Sequence, residues 1–309
     1  MKNFFSCFRI PVAIWCAYRV NMKETKEIAA LIQLIDDPDE IIYSSVEKKL
    51  RSYGQAIIPN LEIAWESTDN PLIQGRIEML IHSVQTARIK KELDQWAFKP
   101  EPDLLEGACI LNHYHFPEND PTAIHQQIEK LRRSIWLELS PHLTALEQTN
   151  VLTGYLFQYC HFKQTEINYE RPGDFLIAVL LEQKKGNALS LTILQLILAE
   201  LNDIPLRLIQ IPGQLMLGYM TQHIGMNDSL LKDNIQFYVD GGTGQIYSYE
   251  DIDTYLKKIG AEFADHFFVP LTTKEIISLL IEEYARCFQT DEQRYKYREL
   301  MTLAETLKG

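Results

Sequence analysis

The sequence predicts an α+β protein with a mostly helical N-terminal part, a core in which a buried central helix precedes a small antiparallel sheet, and C-terminal helices. Three observations predict this plan. Apolar residues recur at helical spacing between residues 24 and 97, short β-rich segments follow Gly186, and helical spacing returns from Thr272.

The N-terminal helices are interrupted by two acidic-proline breaks, at Asp36–Pro38 and Asp69–Pro71. These breaks are about 33 residues apart, which resembles a pair of HEAT-like helical hairpins. An irregular helical bundle explains the same pattern equally well. Two prolines in Lys99–Asp103 cannot continue a helix. We therefore expect a helical-repeat-like domain over residues 22–99 and a second domain over residues 103–309.

Residues 1–21 are aromatic and apolar, but Arg9 and Pro11 interrupt the run and no small-residue cleavage site follows it. The segment is also too short to span a bilayer. We expect a misassigned start or a disordered tail, with a signal peptide or anchor as the alternative.

The composition argues against several classes of partner. A formal net charge of −12 and a pI near 5.2 disfavour binding to nucleic acid or to an anionic membrane surface. The five cysteines are scattered and form no CxxC pair, which favours a reducing, cytoplasmic location. His113, His115 and His125 flank a polar turn, where surface histidines are the expected interpretation and a metal site is the alternative. We expect no cofactor and no metal.

The core begins with a helix from Ala188 to about Leu201, which is apolar nearly all round and has Asn187 as its N-cap. Asn202-Asp203 and Pro205 end it. The predicted strands are Leu206–Ile211, Leu215–Met220, Ile235–Asp240 and Ile246–Ser248, with turns at Pro212-Gly213 and Gly241–Gly244.

Residues 272–307 predict two further helices. Tyrosine and arginine side chains between Arg294 and Arg298 form either a binding face or an ordinary solvated helix surface.

Several motif blocks carry a family resemblance: Asn168-Tyr169, Phe175–Leu180, Lys185-Gly186, Ser190-Leu191, Leu198-Ala199, Ile204-Pro205 and Pro212-Gly213. Over residues 104–285 the chain resembles the SirB-type bacterial transglutaminase-like family, part of the transglutaminase-like superfamily of papain-like cysteine enzymes. The resemblance implies a transglutaminase/papain-like core, and a C-terminal helical pair of the tetratricopeptide (TPR-like) kind.

The resemblance also implies an active site with a cysteine at the start of the central helix, a histidine on the next strands and an aspartate on a following strand. In such a site the imidazole deprotonates the thiol and the carboxylate orients the ring. The cysteine position falls on Ala188, or on Ser190 if the turn is two residues longer. The histidine position falls on Gln214 and the aspartate position on Asp240, so only the aspartate remains.

Each remaining polar residue has two interpretations. Ser190 either satisfies amides of the first helical turn or acts as a nucleophile with His223 as its base. Gln214 either hydrogen-bonds Asp240 or donates to a substrate carbonyl, and Asp240 is either a turn residue or a relic of the site. We expect Gln214 to contact Asp240 close to Ala188.

The implied function is a non-catalytic interaction or regulatory protein on a degenerate cysteine-enzyme fold, with a protein partner. The alternative is a hydrolase or acyltransferase that uses Ser190.

Overall fold

A computed structural model describes residues 26–117, 119–221, 234–262 and 264–308. The chain divides between Arg88 and Ile89 into two compact units, each with its own hydrophobic core. The first 25 residues and His223 lie outside the described residues.

The first unit is helical. Its elements are α1 (Lys26–Gln33), α2 (Glu40–Ser52), α3 (Ile58–Glu66) and the first part of α4 (Pro71–Ala97). Both predicted acidic-proline breaks are confirmed, because one precedes α2 and the other precedes α4. Asp39 caps α2 by accepting a hydrogen bond from the Ile41 amide. The HEAT-like interpretation of these helices stays a prediction.

The second unit begins inside α4, where Ile89, Leu93 and Trp96 pack into the larger core. The proline-rich segment 98–103 separates α4 from the next helix, as expected. The helices that follow are α5 (Leu104–His115), α6 (Pro121–Glu138), α7 (Ala145–Thr153), continued by a π-helical turn at Gly154–Tyr159, and α8 (Ile177–Gln183).

The central helix α9 (Ala188–Glu200) is buried nearly all round, as its composition predicts. A four-stranded antiparallel sheet follows it in the order β3-β4-β5-β6. Its strands are β3 (Leu206–Ile211), β4 (Gln214–Met220), β5 (Ile235–Asp240) and β6 (Ile246–Tyr247). The α+β prediction is therefore confirmed, with strand bounds that differ by one residue at Gln214 and Tyr247.

The sequence did not predict a short parallel pair, β1 (Lys163–Gln164) with β2 (Lys185–Gly186), which lies directly before α9. The chain ends with α10 (Tyr249–Ile259), α11 (Thr273–Ala285) and α12 (Arg294–Thr306), and the last two pack against each other as the predicted pair.

Both faces of the sheet are covered. Leu208, Leu217 and Val239 pack into the core that contains α9. Ile209, Met216 and Tyr238 belong instead to a separate apolar cluster with Ile252 and Leu256 of α10. Because neighbouring strand residues point to opposite faces, this division assigns a face to the residues of β3 and β4. In β5 the register shifts opposite Gly218–Met220, and Ile235 joins Tyr238 in the α10 cluster.

Candidate functional site

The first turn of α9 is held by Asn187. Its Oδ1 accepts a hydrogen bond from the Ser190 amide at 2.9 Å, and its Nδ2 donates to the Asp174 carbonyl at 3.2 Å. Asn187 is fully buried. Asn187 is therefore the N-cap, as predicted, and it also ties the helix start to the preceding loop.

Ser190 points into the core. Its side chain is 3% exposed and borders a small void with Ala108, Ile177 and Leu280. Its hydroxyl donates to the Asn187 carbonyl at 3.1 Å. The expectation that this hydroxyl satisfies first-turn amides is wrong in detail, because the Asn187 side chain does so and Ser190 donates to a carbonyl.

Gly186 closes the space above that hydroxyl. A Cβ added at Gly186 would lie 2.5 Å from Ser190 Oγ and 2.8 Å from Leu180 Cδ1. His223, the base considered for Ser190, lies outside the described residues.

Ala188 lies on a different side of α9 from Ser190. Ala188, Thr192 and Gln195 follow at helical i, i+4 and i+7 spacing and form one stripe. This stripe faces the turn after β5, because Gln195 Nε2 donates to the Gly241 carbonyl and a Cβ at Gly241 would lie 1.9 Å from Thr192 Oγ1. Thr192 Oγ1 donates to the Ala188 carbonyl at 2.7 Å. The structure thus brings the Ala188 stripe and the turn that begins at Asp240 together.

Asp240 forms that turn. Its Oδ1 accepts hydrogen bonds from the amides of Gly242 at 2.7 Å and Thr243 at 3.0 Å, and its carbonyl accepts from Gly244 at 2.7 Å. Asp240 therefore acts as a turn residue, which is one of the two interpretations that the sequence offered for it. The Oδ1 oxygen of Asp240 holds its own loop.

Gln214 shares a sheet face with Asp240 but lies on the opposite face from α9 and Ala188. It is exposed at the start of β4, and alternation from Met216 places its side chain on the face that α10 covers, whereas α9 covers the other face. No hydrogen bond joins Gln214 to Asp240 in the described part of the chain. The hydrogen bond expected between them is therefore not formed, and the placing of Gln214 at the histidine position stays a prediction from the resemblance.

The sequence predicts the Gly241–Gly244 turn but not the close packing of its glycines. A Cβ at Gly242 would lie 2.2 Å from Gln164 Oε1, and one at Gly244 would lie 2.8 Å from the Phe157 ring. The run Asp240–Gly244 is glycine-rich because it fills the space between α9, β1 and the π-helical turn.

The three histidines considered as metal ligands have separate partners. His115 Nδ1 lies 2.7 Å from Tyr284 Oη, His113 Nδ1 lies 3.3 Å from a Glu92 carboxylate oxygen, and His125 Nδ1 lies 2.8 Å from the Pro121 carbonyl. Among the residues that the structure describes, no three metal-ligating side chains come together. Burial, with a smaller contribution from the charge of Lys296, lowers the pKa of His115 to about 4.

The cysteines of the second unit are not poised for nucleophilic chemistry. Cys109 and Cys160 are buried in the core, as predicted, and none of the three cysteines in the described ranges forms a disulfide. Burial raises the pKa of Cys109 and of Cys287 to about 12, so both thiols are protonated at neutral pH.

Comparison with known families gives a match to this chain. The model of the transglutaminase-like superfamily matches residues 122–282, which is more than half of the chain and runs from α6 into α11. None of the curated proteins and none of the solved structures compared with the chain matches it.

Proposed function

The chain belongs to the transglutaminase-like superfamily, and from that premise we propose that it is a non-catalytic member, an interaction or regulatory protein that keeps the fold without the cysteine-dependent reaction. The observation that carries the proposal is the first turn of α9. It presents Ala188 toward the turn after β5, and its only hydroxyl before Thr192 is the buried, hydrogen-bonded Ser190.

A nucleophile in this fold needs three things: access to substrate, a neighbouring base, and donors for the developing oxyanion. Ser190 has a hydroxyl that is already donating to Asn187, and a tight contact with Gly186 covers it. Ala188 has no ionisable atom. The glycine-rich turn packs against Thr192 and Gln195 of α9, and Asp240 Oδ1 is engaged within that turn. These features support binding rather than bond-breaking chemistry.

The finer assignments form part of the same proposal. We assign the chain to the SirB-type group, with a HEAT-like domain over residues 22–99 and the transglutaminase-like domain with its TPR-like helical pair over residues 103–309. Its partner is a protein, and its location is the cytoplasm. In the described ranges, no helix is long and apolar enough to cross a membrane.

An activated-serine probe such as a fluorophosphonate tests the proposal. We expect no stoichiometric labelling of the wild-type protein, and the same result for Ser190→Ala. Ser278→Ala is the matched control, because Ser278 is also buried on a helix and its hydroxyl also donates to a carbonyl, that of Ala304. Stoichiometric labelling that is lost in Ser190→Ala and kept in Ser278→Ala would overturn the proposal and establish the serine hydrolase or acyltransferase.

A further inference from the structure

Three lysines meet at the short parallel pair that precedes α9. Lys163 of β1 and Lys185 of β2 are partners directly across the two strands. Neighbouring strands lie about 4.8 Å apart, so these two side chains begin side by side. Lys184 comes directly before β2, and its carbonyl accepts a hydrogen bond from the Lys163 amide at 2.9 Å. We name these three residues, Lys163, Lys184 and Lys185, the lysine cluster.

The side chains of Lys163 and Lys185 point away from the core. Phe162, the residue before Lys163, is buried in the core. Gly186, the residue after Lys185, faces the core as well, because a Cβ added there would meet the buried Ser190 hydroxyl. Successive strand residues point to opposite faces, so Lys163 and Lys185 share the outer face of the pair. The members of the lysine cluster are all exposed.

The lysine cluster has no charge partner in the described part of the chain. None of its three ammonium groups forms an ion pair there, although the chain carries 42 acidic residues against 30 basic ones. A lysine elsewhere does find such a partner, as Lys99 does with Glu106. Like charges that face each other across neighbouring strands are unfavourable. The fold therefore holds three positive charges together with no described carboxylate paired to them.

The local backbone does not favour a lysine at position 184 either. Lys184 ends α8 in the left-handed conformation, with a φ of 55°. Glycine adopts this conformation without steric cost and is the usual residue at such a helix end. A cation near the C-terminus of α8 does interact favourably with the helix dipole, but one charge is enough for that. Helix capping therefore does not explain why Lys163 and Lys185 also meet here.

The net charge of the chain restricts the anion that the lysine cluster can bind. A total of −12 repels a long polyanion such as a nucleic acid. A short anionic segment responds mainly to the charges nearest to it, because salt screens interactions beyond about 8–10 Å. The lysine cluster therefore favours a short anionic segment.

The backbone around the lysine cluster favours carboxylates over a phosphate group. Phosphate sites commonly combine cations with free backbone amides at a helix N-terminus. Here the Lys163 and Thr165 amides donate to the carbonyls of Lys184 and Gly186, and the Ser190 amide in the first turn of α9 donates to Asn187. Three lysine side chains remain, and each ammonium group offers three donors that can be shared among separate carboxylates.

We propose that the lysine cluster binds an acidic segment of the partner protein, with aspartate or glutamate carboxylates over the outer face of the β1–β2 pair. The proposal rests on the proposed function for one point, that the partner is a protein. The Ser190 hydroxyl lies on the core side of Gly186, whereas the lysine cluster lies on the outer face. Labelling of Ser190 by the serine probe would therefore leave the following experiments unchanged, so the two proposals fail separately.

Fluorescence anisotropy with a labelled hexaglutamate peptide at low ionic strength tests the contact. The cluster variant replaces the three lysines by glutamine: Lys163→Gln, Lys184→Gln and Lys185→Gln. The control variant makes the same change in net charge at exposed positions on three separate helices: Lys48→Gln, Lys91→Gln and Lys258→Gln.

We expect the cluster variant to bind hexaglutamate about tenfold more weakly than the wild type, the effect of losing three exposed ion pairs. The control variant should lose much less affinity, because its charges are far apart and no segment contacts all three. Failure of the wild type to bind hexaglutamate would overturn the proposal. Equal affinities of the wild type and the cluster variant, or equal losses in the two variants, would do the same.

Urea unfolding of Lys163→Gln separates binding from a structural role. This variant keeps both cations at the end of α8 and removes the like charge that faces Lys185. We expect it to be at least as stable as the wild type. A clear loss of stability would show that Lys163 serves the fold, and this would overturn the proposal.

Competition with inorganic pyrophosphate identifies the class of anion. At equal ionic strength, unlabelled hexaglutamate should displace the labelled peptide at a lower concentration than pyrophosphate does, because the neighbouring amides are already engaged. Displacement by pyrophosphate at the lower concentration, with the same loss in the cluster variant, would assign the lysine cluster to a phosphate ligand and overturn the proposal.

Discussion

Gly241 lies directly against Thr192, so close that a methyl group added at Gly241 would be 1.9 Å from Thr192 Oγ1. This contact joins the turn after β5 to the helix α9, and Gln195 reinforces it by donating to the Gly241 carbonyl. The turn after β5 is thus packed against Thr192 and Gln195 of α9. Position 241 requires glycine because a larger side chain there would clash with Thr192.

Gly241→Ala should lower the free energy of unfolding by about 1–3 kcal/mol, the usual cost of forcing extra volume into a packed interior. Urea unfolding measures it. Gly75→Ala is the control, since the added Cβ on α4 meets no described atom within 4 Å beyond its chain neighbours and the backbone of its own helix, and alanine there should stabilise the helix by about 0.5–1 kcal/mol. Thr192→Ala should recover part of the loss in a double-mutant cycle. Equal stability of Gly241→Ala and wild type would contradict the packing described.

His115 makes stability depend on pH. Its folded pKa is about 4, below the ordinary 6.5, because burial disfavours the charged ring. The unfolded chain therefore binds more protons between these values, and stability falls as pH is lowered from about 6.5 to about 4. The loss is at most about 3 kcal/mol. Unfolding measured across this pH range tests the effect.

His115→Gln should flatten that pH dependence, because glutamine keeps a polar partner for Tyr284 Oη but does not titrate. His125→Gln is the control and should leave the slope unchanged, since His125 is exposed and its ring lies against the Pro121 carbonyl. If the slope of stability against pH is unchanged in His115→Gln, His115 is not the origin of the pH dependence.

Local signals predicted much of the fold. The Asn187 cap and the unbroken apolar run after it define α9, and glycine or proline turns separate the strands. The face of the sheet on which the Gln214 side chain lies could not be predicted in this way. Leu215 and Leu217 face α9 while Met216 faces α10, so both faces of β4 are apolar and alternation in the sequence does not distinguish them. The packing of Gly241 on Thr192 is equally invisible, because it joins residues that are distant in sequence.

Ala188→Cys should give a thiol more reactive than one at a helix C-terminus, because the helix N-terminus stabilises the thiolate. Ala97→Cys is the matched control, since Ala97 is also half-buried but lies at the last residue of α4. We expect iodoacetamide to alkylate position 188 about two- to fivefold faster at pH 7, which corresponds to a dipole effect of about 0.3–1 kcal/mol. Peptide mass spectrometry separates these sites from the native cysteines. Equal rates would mean that the first turn of α9 does not favour a thiolate.

Adding Gln214→His to Ala188→Cys should not restore acyl transfer. A general base must lie within hydrogen-bond reach of the thiol, directly or through one water. The side chain at position 214 lies on the face of β4 that α10 covers, whereas Ala188 belongs to the helix on the other face. The alkylation rate of the double variant should therefore follow the same pH profile as Ala188→Cys alone. A new inflection near the pKa of histidine, with release of product from an activated acyl ester, would show that position 214 reaches the first turn of α9 after all.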